Sequence, residues 1–172
     1  LELHLQRSRN VRMDEVVVSA VRTKFEAPIV EQTLEEEDIR VRNLGQDVPF
    51  VLKWTPSAIT TSDAGTGIGY TGIRIRGTDP TRINVTINGV PLNDAESQGV
   101  FWVDLPDLLS STNSVQVQRG VGESTFGTGA FGATINLNTN QTHVEPYGSL
   151  SATVGSFGTY KGTLQVGTGL LG

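Results

Sequence analysis

Apolar and polar side chains alternate in several short runs of this chain, the pattern of half-buried strands. Gly72–Gly77 reads GIRIRG, with Ile73 and Ile75 of one parity and Arg74 and Arg76 of the other. Ile83, Val85 and Ile87 alternate with Asn84, Thr86 and Asn88, and Asn88-Gly89 is the strongest short hairpin signal available. Val115 with Val117, and Ile135 with Leu137, mark two further strands around the glycine-rich segment Gly120–Gly132. Helix signals are fewer. Glu31–Arg42 carries a capping box at Thr33 and Glu36, acids in its first turn, and Arg40 and Arg42 at its end, which predicts a solvated, well-capped helix. A short helix is expected over Gly45–Lys53, with Pro49 tolerable in its first turn and Pro56 as its stop. Thr60–Thr71 and Pro91–Gly99 read as polar loops, Phe101, Trp102, Val103 and Leu105 as an apolar anchor, and Pro106–Ser111 as a helical turn.

Two stretches stand apart from this pattern. Asp14–Ala20 reads DEVVVSA behind a polar, basic lead-in. Its three valines are stiff at χ1 and favour an extended backbone, whose N–H and C=O groups need a partner strand. An ordinary first strand of the domain and a docking handle for another protein both satisfy that need. After about Glu145, Leu150, Ala152 and Val154 alternate with Ser149, Ser151 and Thr153, and Tyr160, Gly162, Leu164 and Val166 with Lys161, Thr163 and Gln165. Gly155–Gly158 turns between them. Two such strands suit a transmembrane β-barrel or a solvated hairpin of a soluble sheet, and periodicity does not separate the two. On the barrel reading more strands must follow, because two cannot close a barrel.

Composition narrows the class. The chain has 172 residues, 37% of them hydrophobic, and its mean hydropathy is −0.14. It has no stretch near the roughly 20 apolar residues that a spanning helix needs. Its 20 glycines, with frequent Asn, Thr and Ser, favour a turn-rich β architecture. The net charge is −5 without any Lys/Arg block, so no nucleic acid partner is expected. The chain has no cysteine, which excludes thiolate metal sites, thiol catalysis and disulfides.

Nucleotide and catalytic chemistries fail at the residue that carries the mechanism. Gly65-Thr66-Gly67-Ile68-Gly69 is GxGxG, not GxGxxG. Gly122 and Gly127 have P-loop spacing, but Thr128 stands where the lysine is required. His4 and His143 lie at opposite ends, neither with a neighbour at ligand spacing. No serine sits in a GxSxG elbow, and Asp94 with Glu96 lacks a partner for acid–base work. No enzyme, cofactor or metal site is expected.

Four motifs in order carry a resemblance: DEVVVSA at Asp14–Ala20, IRIRG at Ile73–Gly77, NVTINGVPLND at Asn84–Asp94, and VQVQRG…FGTGAFGATINL at Val115–Leu137. Together they resemble the plug domain of TonB-dependent outer-membrane receptors, in the style of those from Bacteroidetes-like Gram-negative bacteria. The resemblance implies an α+β plug with a small mixed β-sheet of about four strands and short helices, followed by the first hairpin of a transmembrane β-barrel. It divides the chain into 1–13, the tail of a preceding module or a linker; 14–20, the TonB box; 21–142, the plug; and 145–172, the first barrel strands.

Roles follow position by position. Asp14, Glu15, Val16, Val17, Val18, Ser19 and Ala20 match the TonB box, which pairs as a strand with the periplasmic domain of TonB. Arg76 and Arg119 match two plug arginines that pair with glutamates on the barrel wall, a lock whose breakage costs about 3–5 kcal/mol when one charge stays buried. Asp63, Thr66, Tyr70, Asn93, Asp94, Glu96, Ser97 and Gln98 match the apical loops that touch ligand, with side chains expected to be uncommitted. The implied partners are TonB, the chain's own C-terminal barrel, the outer membrane of a Gram-negative bacterium, and a small ligand such as a metal chelate, cobalamin, a glycan or a peptide. Ser19-Ala20-Val21-Arg22 replaces the VVVVGYG-type extension of many glycan importers, which tells against a glycan. The rival expectation is a soluble β-rich adhesion or carbohydrate-binding module, in which 147–171 would complete a soluble sheet.

Overall fold

The computed structural model describes residues 31–120, 131–139 and 143–169. Its centre is a five-stranded mixed sheet in the order β1-β6-β7-β4-β5. The strands are β1 (Glu31–Glu35), β4 (Ile83–Ile87), β5 (Val90–Pro91), β6 (Ser114–Arg119) and β7 (Ala133–Asn138). The β4–β7 pair is parallel and the other pairings are antiparallel. Two antiparallel hairpins stand beside this sheet: β2 (Ala58–Ser62) with β3 (Thr71–Ile75), and β8 (Tyr147–Val154) with β9 (Tyr160–Gly167). Helical structure is short: α1 (Glu36–Arg42), α2 (Val48–Val51) and single 3₁₀ turns. The α+β class and the mixed sheet agree with expectation, with five central strands in place of about four.

The register explains the core. Leu34, Val115, Leu137 and Ile87 lie in one row across the sheet, and Val117, Ile135 and Val85 in the next. Directly opposed residues project to the same face, so these rows form one apolar layer. Ile39 of α1, Val48 and Val51 of α2, and Ile73, Ile75, Trp102 and Leu109 complete a single cluster against it. The opposite face carries Gln116, Gln118, Thr134, Asn136 and Thr86, which are also buried. Thr86 Oγ1 donates to Asn136 Oδ1 at 2.7 Å across the parallel pair, satisfying both groups in that layer.

Three expectations shift. Glu31–Glu35 is a strand, not the first part of a helix, because its backbone pairs with β6 from Glu31↔Gln118 to Glu35↔Ser114. The N-cap is therefore Glu35, in reciprocal capping with Asp38, two residues later than Thr33. The helix expected over Gly45–Lys53 is only α2 followed by the 3₁₀ turn Leu52–Trp54, with Pro49 in the first turn as predicted. The Thr60–Thr71 loop shortens to 63–70, since β2 and β3 extend the ladder from both sides. Asn88-Gly89 does turn the chain, with φ of 51° and 84° respectively. The Asn88 side chain also ties that turn to Thr139, accepting from its N–H and donating to its hydroxyl.

Ile135 is fully buried at the centre of the apolar layer. Ile135→Ala is expected to destabilise the fold by about 2–5 kcal/mol, read as a lower urea midpoint at unchanged slope. A loss below about 1 kcal/mol would show that the layer collapses around the gap and does not act as one core.

Candidate functional site

The strands bring Arg76 and Arg119 to one place. Arg76 follows β3 in the left-handed region, φ 55°, and its N–H donates to the carbonyl of Ser57. Arg119 ends β6, and its Nη1 donates to the carbonyl of Pro56 at 3.5 Å. Both arginines thus converge on the Pro56–Ser57 turn at the base of the β2–β3 hairpin. A Cβ on Gly120 would stand 2.6 Å from Arg76 Nη1, so the glycine admits the guanidinium. Arg76 is exposed and Arg119 half-buried. The Nε of Arg119 is buried without a partner, and neither guanidinium is in an ion pair among the described residues. Two neighbouring guanidinium groups thus stand at this turn without a carboxylate partner among the described residues.

The 63–70 loop caps the other end of the same hairpin. Buried Asp47 holds it: its Oδ2 accepts from the N–H of Gly69 at 3.0 Å and the hydroxyl of Thr71 at 2.8 Å. Gly67 packs onto Phe50 with φ 81°, and a Cβ there would come within 2.8 Å of the ring. Asp63, Thr66 and Tyr70 remain exposed on this loop. Asp63 and Tyr70 line an open depression of about 200 Å³, whose far wall is Val100, Phe101, Trp102 and Val103. The expected apolar anchor is therefore divided. Trp102 enters the core at 4% exposure, while Phe101 (51%) and Val103 (38%) face outward.

The side chains of the second loop are not all uncommitted, contrary to expectation. Asn93 Oδ1 accepts from Val85 N–H, and its Nδ2 donates to the carbonyls of Ile83 and Gln98. Asp94 Oδ1 accepts from the N–H groups of Glu96 and Ser97 and from the Ser97 hydroxyl. Asn93, Asp94 and Ser97 thus build the loop, leaving the exposed Glu96 and Gln98 as its outward side chains. Among the described residues no group of three or more His, Cys, Asp or Glu could hold a metal ion. His143 instead lies against the Tyr147 ring, with centroids 4.3 Å apart.

The β8–β9 hairpin reverses the polarity of the central sheet. Leu150↔Leu164, Ala152↔Gly162 and Val154↔Tyr160 pair on one face, which is exposed. Leu150 is 79% exposed, Leu164 71% and Val166 73%. Lys161, Thr163 and Gln165 lie on the other face, half-buried toward the rest of the chain. No helix among the described residues is long and apolar enough to cross a membrane, a test that does not bear on strands.

A family model described as the TonB-dependent receptor plug domain matches residues 23–134. The chain belongs to this plug family. The ferrienterobactin receptor of Escherichia coli K12 is 27% identical over 149 residues, covering 81% of this chain and 20% of that protein. The ferric enterobactin receptor of Pseudomonas aeruginosa is 27% identical over 146 residues, covering 79% and 19%. Among solved structures, the ferric-catecholate import receptor Fiu of E. coli superimposes with a TM-score of 0.63 at 21% identity, over 85% of this chain and 19% of that one. The ferric yersiniabactin uptake receptor FyuA of Yersinia pestis gives 0.63 at 16%, over 81% and 21%. At these identities the structural likeness establishes the fold. These relatives are named as receptors, not enzymes, and the chain spans about a fifth of their length.

Of the positions expected to act, the plug brings Arg76 and Arg119 together and gathers Asp63 and Tyr70 at one depression. Asp14–Ala20 lies outside the described residues. Asp47, Phe101 and Val103 were not anticipated as parts of the site. The exposed pair Phe101 and Val103 flanking Trp102 was the available signal, since a one-sided anchor buries alternate residues.

The Asp94 carboxyl is held below its usual range, first by the Ser97 N–H, then by the Ser97 hydroxyl and the Glu96 N–H. A depressed folded pKa adds stability above the unfolded value, about 3.9, and loses it as pH falls through the folded value. Asp94→Ala is therefore expected to melt below the parent at pH 7, with the gap closing below about pH 3.9. A gap independent of pH would place the effect in packing and not in the charged loop.

Proposed function

We propose that this chain is the gate of a Gram-negative outer-membrane receptor, joined to the first strands of its barrel. On this reading a scarce ligand binds at the 63–70 and 93–99 loops, TonB pulls on Asp14–Ala20, and the plug rearranges to open a path. Energy comes from the inner membrane through TonB, and the plug performs no catalysis. The names of the relatives favour a ferric siderophore over the cobalamin, glycan and peptide alternatives. The exposed rings of Tyr70 and Phe101 beside the depression suit the recognition of a compact chelate.

The observation that carries the proposal is the outward apolar face of β8–β9 beside a plug-type sheet. A soluble module needs that face covered, because a contiguous exposed apolar face is a liability in water. Lipid covers it in a barrel, and the polar face then meets the plug. The test is uptake of a radiolabelled ferric siderophore by cells with and without the full-length receptor, under iron limitation. Equal uptake by receptor and deletion strains for every chelate offered would reject the ligand class.

Two substitutions probe the mechanism. Val17→Pro removes a ladder donor from the arm, so binding to the TonB periplasmic domain is expected to be lost in a calorimetric titration. Unchanged affinity would remove Asp14–Ala20 from the TonB assignment. Arg119→Gln in the full receptor is expected to lower the plug's unfolding transition, because the barrel carboxylate it meets is left buried and unpaired. An unchanged transition would mean that this arginine does not lock the plug.

A further inference from the structure

The only lysine of β8–β9 reaches into the plug. The Lys161 stem passes over Gly45, where a Cβ would stand 3.2 Å from its Cδ. Its Nζ meets Asp107 Oδ1 at 2.5 Å and donates to Ser110 Oγ at 2.8 Å. Ser110 Oγ in turn donates to Asp107 Oδ1 at 2.7 Å and accepts from Asn43 Nδ2 at 3.2 Å. Four residues along the same face of β9, Gln165 Nε2 donates to the Ser110 carbonyl at 2.5 Å. Asp107 is presented by a left-handed backbone, φ 54°, at the start of the 3₁₀ turn Leu108–Ser111. The Lys161 side chain is only 17% exposed, so its charge is largely withdrawn from water and needs the carboxylate.

We propose that Asp107, Ser110, Lys161 and Gln165 form a second plug–barrel latch, which registers the first barrel strands on the plug. The proposal rests on the reading that β8–β9 opens the barrel. It differs from the arginine lock in sign, with the acid on the plug and the cation on the barrel strand. It also differs in place. Asp107 and Ser110 precede β6, and Arg119 ends it, so the two attachments lie at opposite ends of one six-residue strand. At roughly 3.3 Å per residue that is about 17 Å. A body held at one point can swing about it, whereas two separated points fix its orientation.

The test uses the full-length receptor in outer membranes. Asp107→Cys combined with Lys161→Cys is expected to cross-link with a short bismaleimide, while Asp107→Cys with the outward-facing Leu164→Cys is not. This chain contributes no competing cysteine. Heat-modifiable migration on a gel reports whether the barrel has formed. A folded barrel without the 107–161 cross-link overturns the latch and leaves the barrel reading standing. A receptor with no heat-modifiable barrel overturns that reading and the latch with it. In the same membranes, Asp107→Asn and Lys161→Met are each expected to sensitise cells to vancomycin several-fold, through a loosened plug. The exchange Asp107→Lys with Lys161→Asp is expected to restore resistance. Single variants as resistant as the parent, or an exchange as leaky as the singles, would reject the charge pair.

Discussion

The arrangement depends on one pairing, the parallel ladder of β4 with β7, from Ile83↔Ala133 to Ile87↔Leu137. A parallel pair needs a long crossover, and among its described residues this one contains β5, the 94–99 loop, the 3₁₀ turns Trp102–Asp104 and Leu108–Ser111, and β6. Because β6 returns antiparallel to β7, Arg119 lies opposite Ala133, which itself lies opposite Ile83. The turns that precede β4 and follow β6 therefore meet at one end of the sheet. Hydrogen bonds from Gly132 N–H to the Arg82 carbonyl and from Gly120 N–H to the Gly132 carbonyl close that end. The convergence of Arg76 with Arg119, 43 positions apart in sequence, is a consequence of this topology. At the tip of the β2–β3 hairpin, about 13 Å away along five residues, the 63–70 loop faces the opposite direction.

The two kinds of sheet obey one rule in two surroundings. The central sheet buries both faces, one with aliphatic side chains and one with amides and hydroxyls that include the bonded pair Thr86 and Asn136. The β8–β9 hairpin turns Lys161 and Gln165, both half-buried, onto the plug and presents leucine, valine and tyrosine outward. Such a surface is unfavourable in water by roughly 25 cal/mol for each Å² of apolar area left exposed, and neutral in hydrocarbon. The inverted hairpin and the plug-type sheet are thus two halves of a single argument. A polar inner face suits a barrel whose lumen is filled by protein, and an apolar outer face suits lipid.

Period-two alternation made β4, β6, β7 and the β8–β9 hairpin legible, because each carries at least two aliphatic residues of one parity. The Asn88-Gly89 turn was legible from its steric preference alone. Strand β1 was not. EQTLE contains one buried aliphatic residue, Leu34, and its acids also suit a helix start, so only pairing with β6 makes it extended. Thr33 with Glu36 and Glu35 with Asp38 offer two overlapping capping frames, and the strand decides between them by occupying the first. The commitment of Asn93, Asp94 and Ser97 to their own loop was also hidden. Such residues have the same composition whether they face a ligand or cap a turn. The contact of Asp107 with Lys161 spans 54 positions and carries no local signal.

Relative magnitudes suggest how such a gate would respond to tension on the proposed reading. Among the described residues strand β1 lies at an edge of the sheet, five residues long and paired with β6 alone. Each of its ladder bonds contributes about 0.5–1.5 kcal/mol net, and bonds at an edge can break one at a time. The anchors at the two ends of β6 behave differently. Separating a fully buried charge from its partner costs about 3–5 kcal/mol in one step, and less for Lys161, whose partner Asp107 is 39% exposed. Force entering through the chain before Glu31 meets the β1–β6 ladder before it reaches either anchor. The edge strand is then the part that yields, while β6, β7 and β4 remain attached to the wall. A path opened in this way is limited to the side of the plug that β1 covers, and the double attachment of β6 sets that limit.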